Sequence, residues 1–232
     1  MKKTFRQMAL EAMAAGLAFV ACDDDNKDNP GGGGGTETAE WVDLGLPSGL
    51  LWAKCNLGAT KPEEYGDYYA WGETSTKEVY TWETYKYCTA VDEDGWIKTL
   101  SKYNTDSEYG TPDHLTTLQP SDDVATQKLG DGARMPTETE WCELLANTTS
   151  EWTTVNGVYG CRLTASNGKS LFFPAAGGRY GSELLRAGEI GVYRSSSLYA
   201  GGPLYAWDFD GYVNDGYREY GYSVRAVCAS QN

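Results

Sequence analysis

The residues with the clearest chemical potential in this chain are the polar aromatic and charged side chains between Gly177 and Arg225. This segment holds eight of the chain's 17 tyrosines, ten glycines and five arginines, but no lysine. Tyr and Arg give large, fairly rigid contact area with a polar end, whereas Ser, Gly and Asn give adaptable hydrogen bonds. The composition therefore favours non-covalent recognition. It is also typical of an aromatic, turn-rich β-meander, because Tyr favours strands and Gly favours turns.

The order of residues within the segment favours recognition over the meander. Residues that look like fixed positions of a scaffold, most of them small, alternate with large polar or aromatic residues that look like changeable contacts. The scaffold-like residues include Gly188, Gly191, Ser195, Ser196, Ser197, Pro203, Trp207 and Gly221.

Catalytic signatures are missing from the sequence. No GxSxG motif is present, and the lone His114 has no Cys or second His near it, which is typical of a surface residue. No CxxC pair is present either, so a zinc or redox motif is not supported. Asp122, Asp123 and Asp131 lack the spacing of a calcium loop, and we interpret them as solvated loop acids. We predict no enzymatic activity, no cofactor and no metal.

Length and charge limit the possibilities further. The chain has 232 residues, 41% of them hydrophobic, which is enough for one domain with its own core. Its formal net charge of −14 repels phosphate backbones, so we do not expect nucleic acid as a partner.

The first 40 residues predict export and anchoring. Basic residues precede the apolar run from Ala12 to Ala21, which is typical of a signal peptide over residues 1–21 and is too short to span a bilayer permanently. Phe19 to Cys22 resembles a bacterial lipobox, which implies lipidation of Cys22; a plain cleaved signal is the alternative. Residues 22–40 form an acidic, Gly-rich tether, with Gly31 to Gly35 consecutive. The acids after Cys22 resemble the export signal of surface lipoproteins in Bacteroidetes, so we expect a surface-exposed outer membrane lipoprotein.

Cysteine usage leaves the disulfides open. The chain has six cysteines, and if Cys22 carries lipid, at least one of the other five cannot pair within the chain.

Several local patterns predict the elements that must position the aromatic segment. Residues 41–59 alternate around Leu46-Pro47-Ser48-Gly49, as in a β-hairpin, and residues 65–87 predict a coil fixed by buried rings. Thr137 followed by Glu140 predicts a capped helix with Trp141, Leu144 and Leu145 on one face. Asn156-Gly157 and Asn167-Gly168 predict two hairpin turns, and residues 223–228 a final strand.

The motifs VDLGLPSGLLWAKCNLGA, EYGDYYAWGET, RMPTETEW, FFPAAGGR, YRSSS, AW and GYSVRAV occur in this order along the chain. RMPTETEW resembles the signature of proteins related to the formylglycine-generating enzyme, and the whole set resembles the Fibrobacter succinogenes major paralogous domain of Bacteroidetes lipoproteins. The resemblance implies one α+β, C-type-lectin-like domain over residues 41–232, with short helices, small antiparallel sheets and much irregular loop. The enzymatic members need a close cysteine pair in the C-terminal part, and only Cys161 and Cys228 follow residue 142 here.

Residues 177–225 resemble the variable region of proteins diversified by retroelements, whose fixed skeleton displays mutable side chains to a ligand. The resemblance assigns the skeleton to Gly181, Ala187, Gly188, Gly191, Tyr193, Ser195, Ser196, Ser197, Trp207, Phe209, Val213, Gly221, Ser223, Val224 and Arg225. It assigns ligand binding to Tyr180, Ile190, Val192, Arg194, Tyr199, Tyr205, Asp208, Asp210, Tyr212, Asn214, Asp215, Tyr217, Arg218, Tyr220 and Tyr222. Arg194 stands where that group usually has Trp.

The sequence thus predicts a surface-anchored receptor or adhesin that binds an external protein or glycan. The alternative is a structural or glycan-binding domain of the cell envelope without diversification, in which the tyrosines pack against one another.

Overall fold

A computed structural model describes residues 38–130, 132–211 and 213–230. The predicted signal peptide, the lipidation site Cys22 and the tether up to residue 37 lie outside the described residues, as do Asp131 and Tyr212. In the described part of the chain, no helix is both long enough and apolar enough to cross a bilayer.

The described residues form an α+β structure of small antiparallel sheets, short helices and much irregular loop, as predicted. Three sheets have three strands each, in the orders β1-β2-β13, β5-β6-β7 and β10-β11-β12, and two are hairpins, β3-β4 and β8-β9. The strands are β1 (Trp41–Asp43), β2 (Leu50–Ala53), β3 (Cys88–Val91), β4 (Ile97–Leu100), β5 (Thr148–Val155), β6 (Val158–Ala165), β7 (Ser170–Pro174), β8 (Gly178–Tyr180), β9 (Glu183–Leu185), β10 (Tyr193–Leu198), β11 (Tyr205–Phe209), β12 (Val213–Tyr217) and β13 (Val227–Ala229). The helices are α1 (Val124–Leu129) and α2 (Glu138–Ala146), with 3₁₀ turns at Trp82–Thr84, Ser107–Tyr109 and Pro120–Asp122.

The first and last strands of this fold share one partner. The predicted hairpin forms between β1 and β2, with Trp41 opposite Ala53, and Gly49 closes the turn by donating its N–H to Leu46 O over 2.9 Å. On the other edge of β2, Val227 of β13 lies opposite Trp52. The C-terminal chain, which carries the aromatic segment, is therefore tied to the start of the domain.

Helix α2 begins at the predicted cap. Thr137 Oγ1 accepts the Glu140 N–H at 3.3 Å, and Glu140 Oε2 accepts the Thr137 N–H at 2.8 Å. This reciprocal pair satisfies two donors that the first helical turn leaves unpaired. The helix buries Trp141, which contacts Trp52 at 4.8 Å and Phe209 at 4.5 Å between ring centroids. The helix thereby joins the sheet of β1, β2 and β13 to the sheet that carries the aromatic segment.

Residues 65–87 form the predicted coil with buried rings. The hydroxyls of these tyrosines donate to backbone carbonyls that no sheet pairs: Tyr80 to Tyr68 O and Tyr85 to Trp71 O, both over 2.7 Å. Because a buried carbonyl needs a donor, each ring both fills the core and stabilises the irregular chain around it.

The predicted hairpins of β5, β6 and β7 also form. Asn156 and Gly157 have positive φ angles of 48° and 84°, which the tight turn between β5 and β6 requires. Among the described residues the five cysteines are all free thiols.

Candidate ligand-binding surface

Three arginines of the aromatic segment lie inside the protein. Arg194, Arg218 and Arg225 each have 0% of their surface exposed. The prediction that Arg194 and Arg218 are displayed to a ligand is therefore wrong. Arg194 binds groups within the segment, and Arg218 binds the segment to the rest of the domain.

Arg194 forms an ion pair beneath the sheet of β10, β11 and β12. Its Nη1 lies 2.9 Å from both carboxylate oxygens of Asp208, and its Nη2 donates to the carbonyls of Tyr217 and Tyr220 over 2.7 Å. The guanidinium lies 4.3 Å from the centre of the Tyr222 ring. Burial raises the pKa of Asp208 to about 7, although the attraction of Arg194 opposes that shift.

The prediction is also wrong for Asp208, Tyr222 and Val192, whose side chains are buried. Strand alternation explains Asp208: along β11, Tyr205 and Trp207 point outward, while Ala206 and Asp208 point inward. Tyr222 covers the same inner face, where a Cβ on Gly216 would collide with Tyr222 and Asp208.

Arg218 is buried without a carboxylate partner among the described residues. Its guanidinium donates to the hydroxyl of Tyr85 at 2.9 Å and to the carbonyls of Pro203 and Tyr103 at 2.8 and 3.0 Å. It also lies 4.8 Å from the ring centre of Trp71. Carbonyl and hydroxyl oxygens together with aromatic faces thus replace a counter-ion, in agreement with the weak hydration of guanidinium.

Arg225, which the resemblance assigned to the skeleton, is held in a similar way. It donates to Asn56 Oδ1 at 2.7 and 2.9 Å and to Phe172 O at 2.9 Å, and it lies 4.4 Å from the Phe173 ring.

Nine predicted contact residues are exposed or partly exposed. They are Tyr180, Ile190, Tyr199, Tyr205, Asp210, Asn214, Asp215, Tyr217 and Tyr220. Ile190 belongs to the loop before β10, where its carbonyl accepts the N–H of Gly177 at 2.7 Å.

Most of the exposed tyrosines lie side by side on the outer side of β11 and β12. Tyr205 and Tyr217 are opposite each other in the sheet, with ring centroids 4.6 Å apart and a hydrogen bond of 3.0 Å between their hydroxyls. Tyr199 contacts both Tyr205 and Trp207, at 6.2 and 4.7 Å. Trp207 in turn lies opposite Asp215.

The row of rings continues past the end of β12. Tyr217 lies 5.5 Å from Tyr220, and Tyr220 lies 4.5 Å from Tyr180. We call this surface the tyrosine face; it consists of Tyr180, Tyr199, Tyr205, Trp207, Tyr217, Tyr220 and the neighbouring Trp96.

Trp96 is a member of the face that the sequence analysis missed. It lies in the turn between β3 and β4, is 42% exposed, and its ring is 5.3 Å from that of Tyr217. An exposed Trp in a turn is unusual, because this side chain gains so much from burial. The sequence signal that could have indicated this position is the acidic turn from Asp92 to Gly95, which directly precedes Trp96.

The hydroxyl groups of Tyr205 and Tyr220 stay protonated at neutral pH. The hydrogen bond with Tyr217, then burial, then nearby groups including Asp215 raise the pKa of Tyr205 to about 12. Burial, followed by Glu219, raises the pKa of Tyr220 to about 12. These two side chains are therefore neutral phenols that donate and accept hydrogen bonds.

Glu219 lies beneath the face, between Arg218 and Tyr220 in the chain, and is only 4% exposed. Within the described part of the chain, its Oε2 has no hydrogen-bond partner. Burial raises its pKa to about 7.

A polar groove of about 500 Å³ lies beside β8. Its lining includes Asp67, Tyr68, Lys77, Arg179 and Ser182. The Arg179 guanidinium lies 5.5 Å from the Tyr68 ring centre, and Lys77 pairs with Glu73 at 2.9 Å. The groove thus offers charged groups of both signs next to aromatic rings.

The chain matches no family model, no curated protein and no solved structure. Within the residues that the structure describes, no three His, Cys, Asp or Glu side chains are grouped so as to hold a metal ion. The tyrosine face is therefore interpreted from its own geometry. Its rings, phenol hydroxyls and neighbouring carboxylates can bind by stacking, by burial of apolar area and by hydrogen bonding.

Proposed function

We propose that this protein is a surface-anchored lipoprotein that binds an external ligand through the tyrosine face, as a receptor or adhesin diversified by a retroelement on a C-type-lectin-like scaffold. The proposal has the protein lipidated at Cys22, held in the outer membrane, and binding without catalysis. Its ligand is an external macromolecule other than nucleic acid.

One observation carries the proposal: the segment separates into two sets of residues that alternate in sequence but lie on opposite sides of the sheet. Tyr205, Trp207 and Tyr217 point outward, whereas Ala206, Asp208 and Gly216 lie inward beneath them. Along β11 and β12 the outward side chains project away from the inward set, although Tyr217 also contacts the buried Trp82 at 6.1 Å between ring centroids. This separation is what a surface that varies on a constant fold requires.

The buried residues reduce the set of variable positions that we propose. Val192, Arg194, Asp208, Arg218 and Tyr222 belong with the skeleton, because they are buried. We propose that variation is concentrated at the nine exposed or partly exposed residues, from Tyr180 to Tyr220.

The groove beside β8 favours a second candidate, a glycan-binding envelope domain without diversification. Sugars present vicinal hydroxyls that donate and accept hydrogen bonds, and Arg179, Asp67 and Ser182 offer both complements beside the ring of Tyr68. Binding to immobilised neutral glycans that is lost in Arg179→Ala but kept in Trp96→Ala would support this candidate.

A genomic test separates the two. The DNA next to the gene is searched for a near-copy of the part that encodes residues 177–225. We expect such a copy, differing from the gene mainly where the copy has adenine, at codons of the outward residues. If no copy exists in a closed genome sequence, the proposal of diversification fails and the glycan-binding candidate remains.

A further inference from the structure

The arginines of the aromatic segment are buried or engaged elsewhere. Arg194, Arg218 and Arg225 point inward and are fully buried. Of the two other arginines, Arg186 lies 3.5 Å from Glu189 and Arg179 lines the groove beside β8. The segment therefore places none of these five cations on the tyrosine face.

Several carboxylates of the same region lie outside, whereas Asp208 and Glu219 are buried. Asp215 is exposed opposite Trp207, and Glu83 is exposed next to the turn that holds Trp96, with its Oε1 3.5 Å from where a Cβ on Gly95 would lie. On β3, β4 and their turn, Asp92, Glu93 and Asp94 outnumber Lys98. The rim of the face is consequently negative.

Carboxylates also lie near two tyrosines of this region. The charged side chain that acts most strongly on Tyr205 is Asp215, and for the nearby Tyr109 they are Glu108 and Asp106. The hydrogen bond with Tyr217 and burial are the larger causes of the raised pKa of Tyr205, and burial is the larger cause of the raised pKa of Tyr109; the carboxylates add to both in the same direction.

Aromatic faces ringed by carboxylates suit cations. A guanidinium or ammonium group is attracted to the negative face of Trp or Tyr, and a rim carboxylate pairs with the same group. The protein's net charge of −14 adds a long-range attraction for basic partners and repels anionic polysaccharides. A neutral sugar can donate hydrogen bonds to a rim carboxylate, but it gains no charge attraction from the acidic rim.

We propose that the ligand of the tyrosine face is a basic protein surface, bound through arginine or lysine side chains that stack on Trp96 and Tyr217 and pair with Asp215. This inference rests on the proposed function, because it specifies the partner of that same face. It assigns the acids of the rim a role in partner selection and the rings a role as anchors.

The test uses two fluorescein-labelled peptides of alternating glycine and residue X, where X is arginine in one and citrulline in the other. Citrulline keeps the shape and most hydrogen-bond donors of arginine but has no charge. Fluorescence anisotropy with the purified soluble chain should show roughly tenfold tighter binding of the arginine peptide, from cation–π and ion-pair terms together. Equal binding of the two peptides would overturn the proposal.

Variants distinguish the face from general attraction to an acidic protein. Asp215→Asn should weaken arginine-peptide binding about threefold, and Trp96→Ala about tenfold, since both side chains are exposed and near the proposed contacts. Glu151→Gln on β5, which removes one exposed charge from another sheet, is the matched control and should leave binding unchanged. Equal weakening by Glu151→Gln and Asp215→Asn would mean non-specific attraction and would refute the proposal.

Circular dichroism melting of each variant checks folding. If Trp96→Ala does not fold, Trp96→Leu replaces it, which keeps apolar contact but removes the aromatic face. Loss of discrimination in the peptide assay leaves the proposed function standing, because diversification is read from DNA. If no near-copy is found, the peptide assay still shows whether the tyrosine face prefers a cationic ligand.

Discussion

Arg194 Nη1 lies 2.9 Å from both carboxylate oxygens of Asp208, and neither side chain is appreciably exposed to solvent. The same guanidinium donates to the carbonyls of Tyr217 and Tyr220, which are two residues of the tyrosine face. The buried ion pair therefore fixes the backbone from which the outer rings project. A binding surface can tolerate changes in its rings only if such a support stays constant.

Removing one partner of this ion pair should destabilise the fold severely. Asp208→Ala leaves the Arg194 charge buried without its counter-ion, at a cost of about 3–5 kcal/mol in the free energy of unfolding. Urea denaturation followed by tryptophan fluorescence measures it. The exposed Asp215→Ala, on the neighbouring strand, is the control and should change stability by less than about 0.5 kcal/mol. Similar values for the two variants would contradict the buried pairing.

Glu219 should make the protein less stable as the pH rises. Its pKa is about 7 in the folded chain against 4.5 for an unperturbed glutamate, so the unfolded state releases the proton first. The free energy of unfolding then falls between about pH 4.5 and pH 7, by up to about 3 kcal/mol.

Glu219→Gln should remove this loss. Near pH 8 the variant should be more stable than the wild type, whereas near pH 4, where the glutamate is protonated in both states, the two should agree to within about 1 kcal/mol. Thermal melting across this range gives the comparison, with the exposed Glu183→Gln as control. A wild type that is stabilised relative to the variant at high pH would show that Glu219 has a partner that lowers its pKa.

The capping box of α2 should contribute about 1 kcal/mol. Thr137→Ala removes the acceptor for the Glu140 N–H and should cost about 0.5–2 kcal/mol. Thr139→Ala, at an exposed position inside the same helix, should be neutral or slightly stabilising, because Ala is the better helix former. Chemical denaturation of both variants gives the values, and an equal loss in the two would contradict a specific role for the cap.

Replacing a buried and a partly exposed tyrosine of the aromatic segment should change the free energy of unfolding by different amounts. Tyr193 is buried against Phe173 and Trp141, and its hydroxyl donates to Pro174 O over 2.7 Å, so Tyr193→Ala should cost about 3–5 kcal/mol. Tyr199 is partly exposed at the edge of the tyrosine face, and Tyr199→Ala should cost about 1 kcal/mol or less. Calorimetric melting temperatures of the pair test this. Comparable losses would mean that the face is part of the core.

The local features of this fold could be predicted from sequence. The Thr137 cap, the Asn156-Gly157 turn and the Leu46 to Gly49 turn each depend on residues within four positions of one another, so their patterns are visible in a single chain. Helix α1 was not predicted, because six residues are too few to show a helical period.

The candidate site could be predicted only in part, because burial depends on distant residues. Arg218 has the appearance of a displayed residue, yet two of its partners, the Tyr85 hydroxyl and the Tyr103 carbonyl, lie more than a hundred positions away. The place of Trp96 in the face could not be predicted for the same reason, because Trp96 contacts Tyr217, which lies far from it in the sequence. An arginine in a tyrosine-rich segment has the same appearance in sequence whether it binds a ligand or holds the chain from within.

Deep sequencing of codons 177–225 within one bacterial population is the most direct test of the division between inner support and outer face. We predict substitutions at Tyr180, Tyr199, Tyr205, Asp215 and their exposed neighbours, and none at Arg194, Asp208, Arg218, Tyr222 or Arg225. Substitutions spread equally over codons of buried and exposed residues, or a segment without any variation, would contradict the division between a constant buried support and a variable outer face.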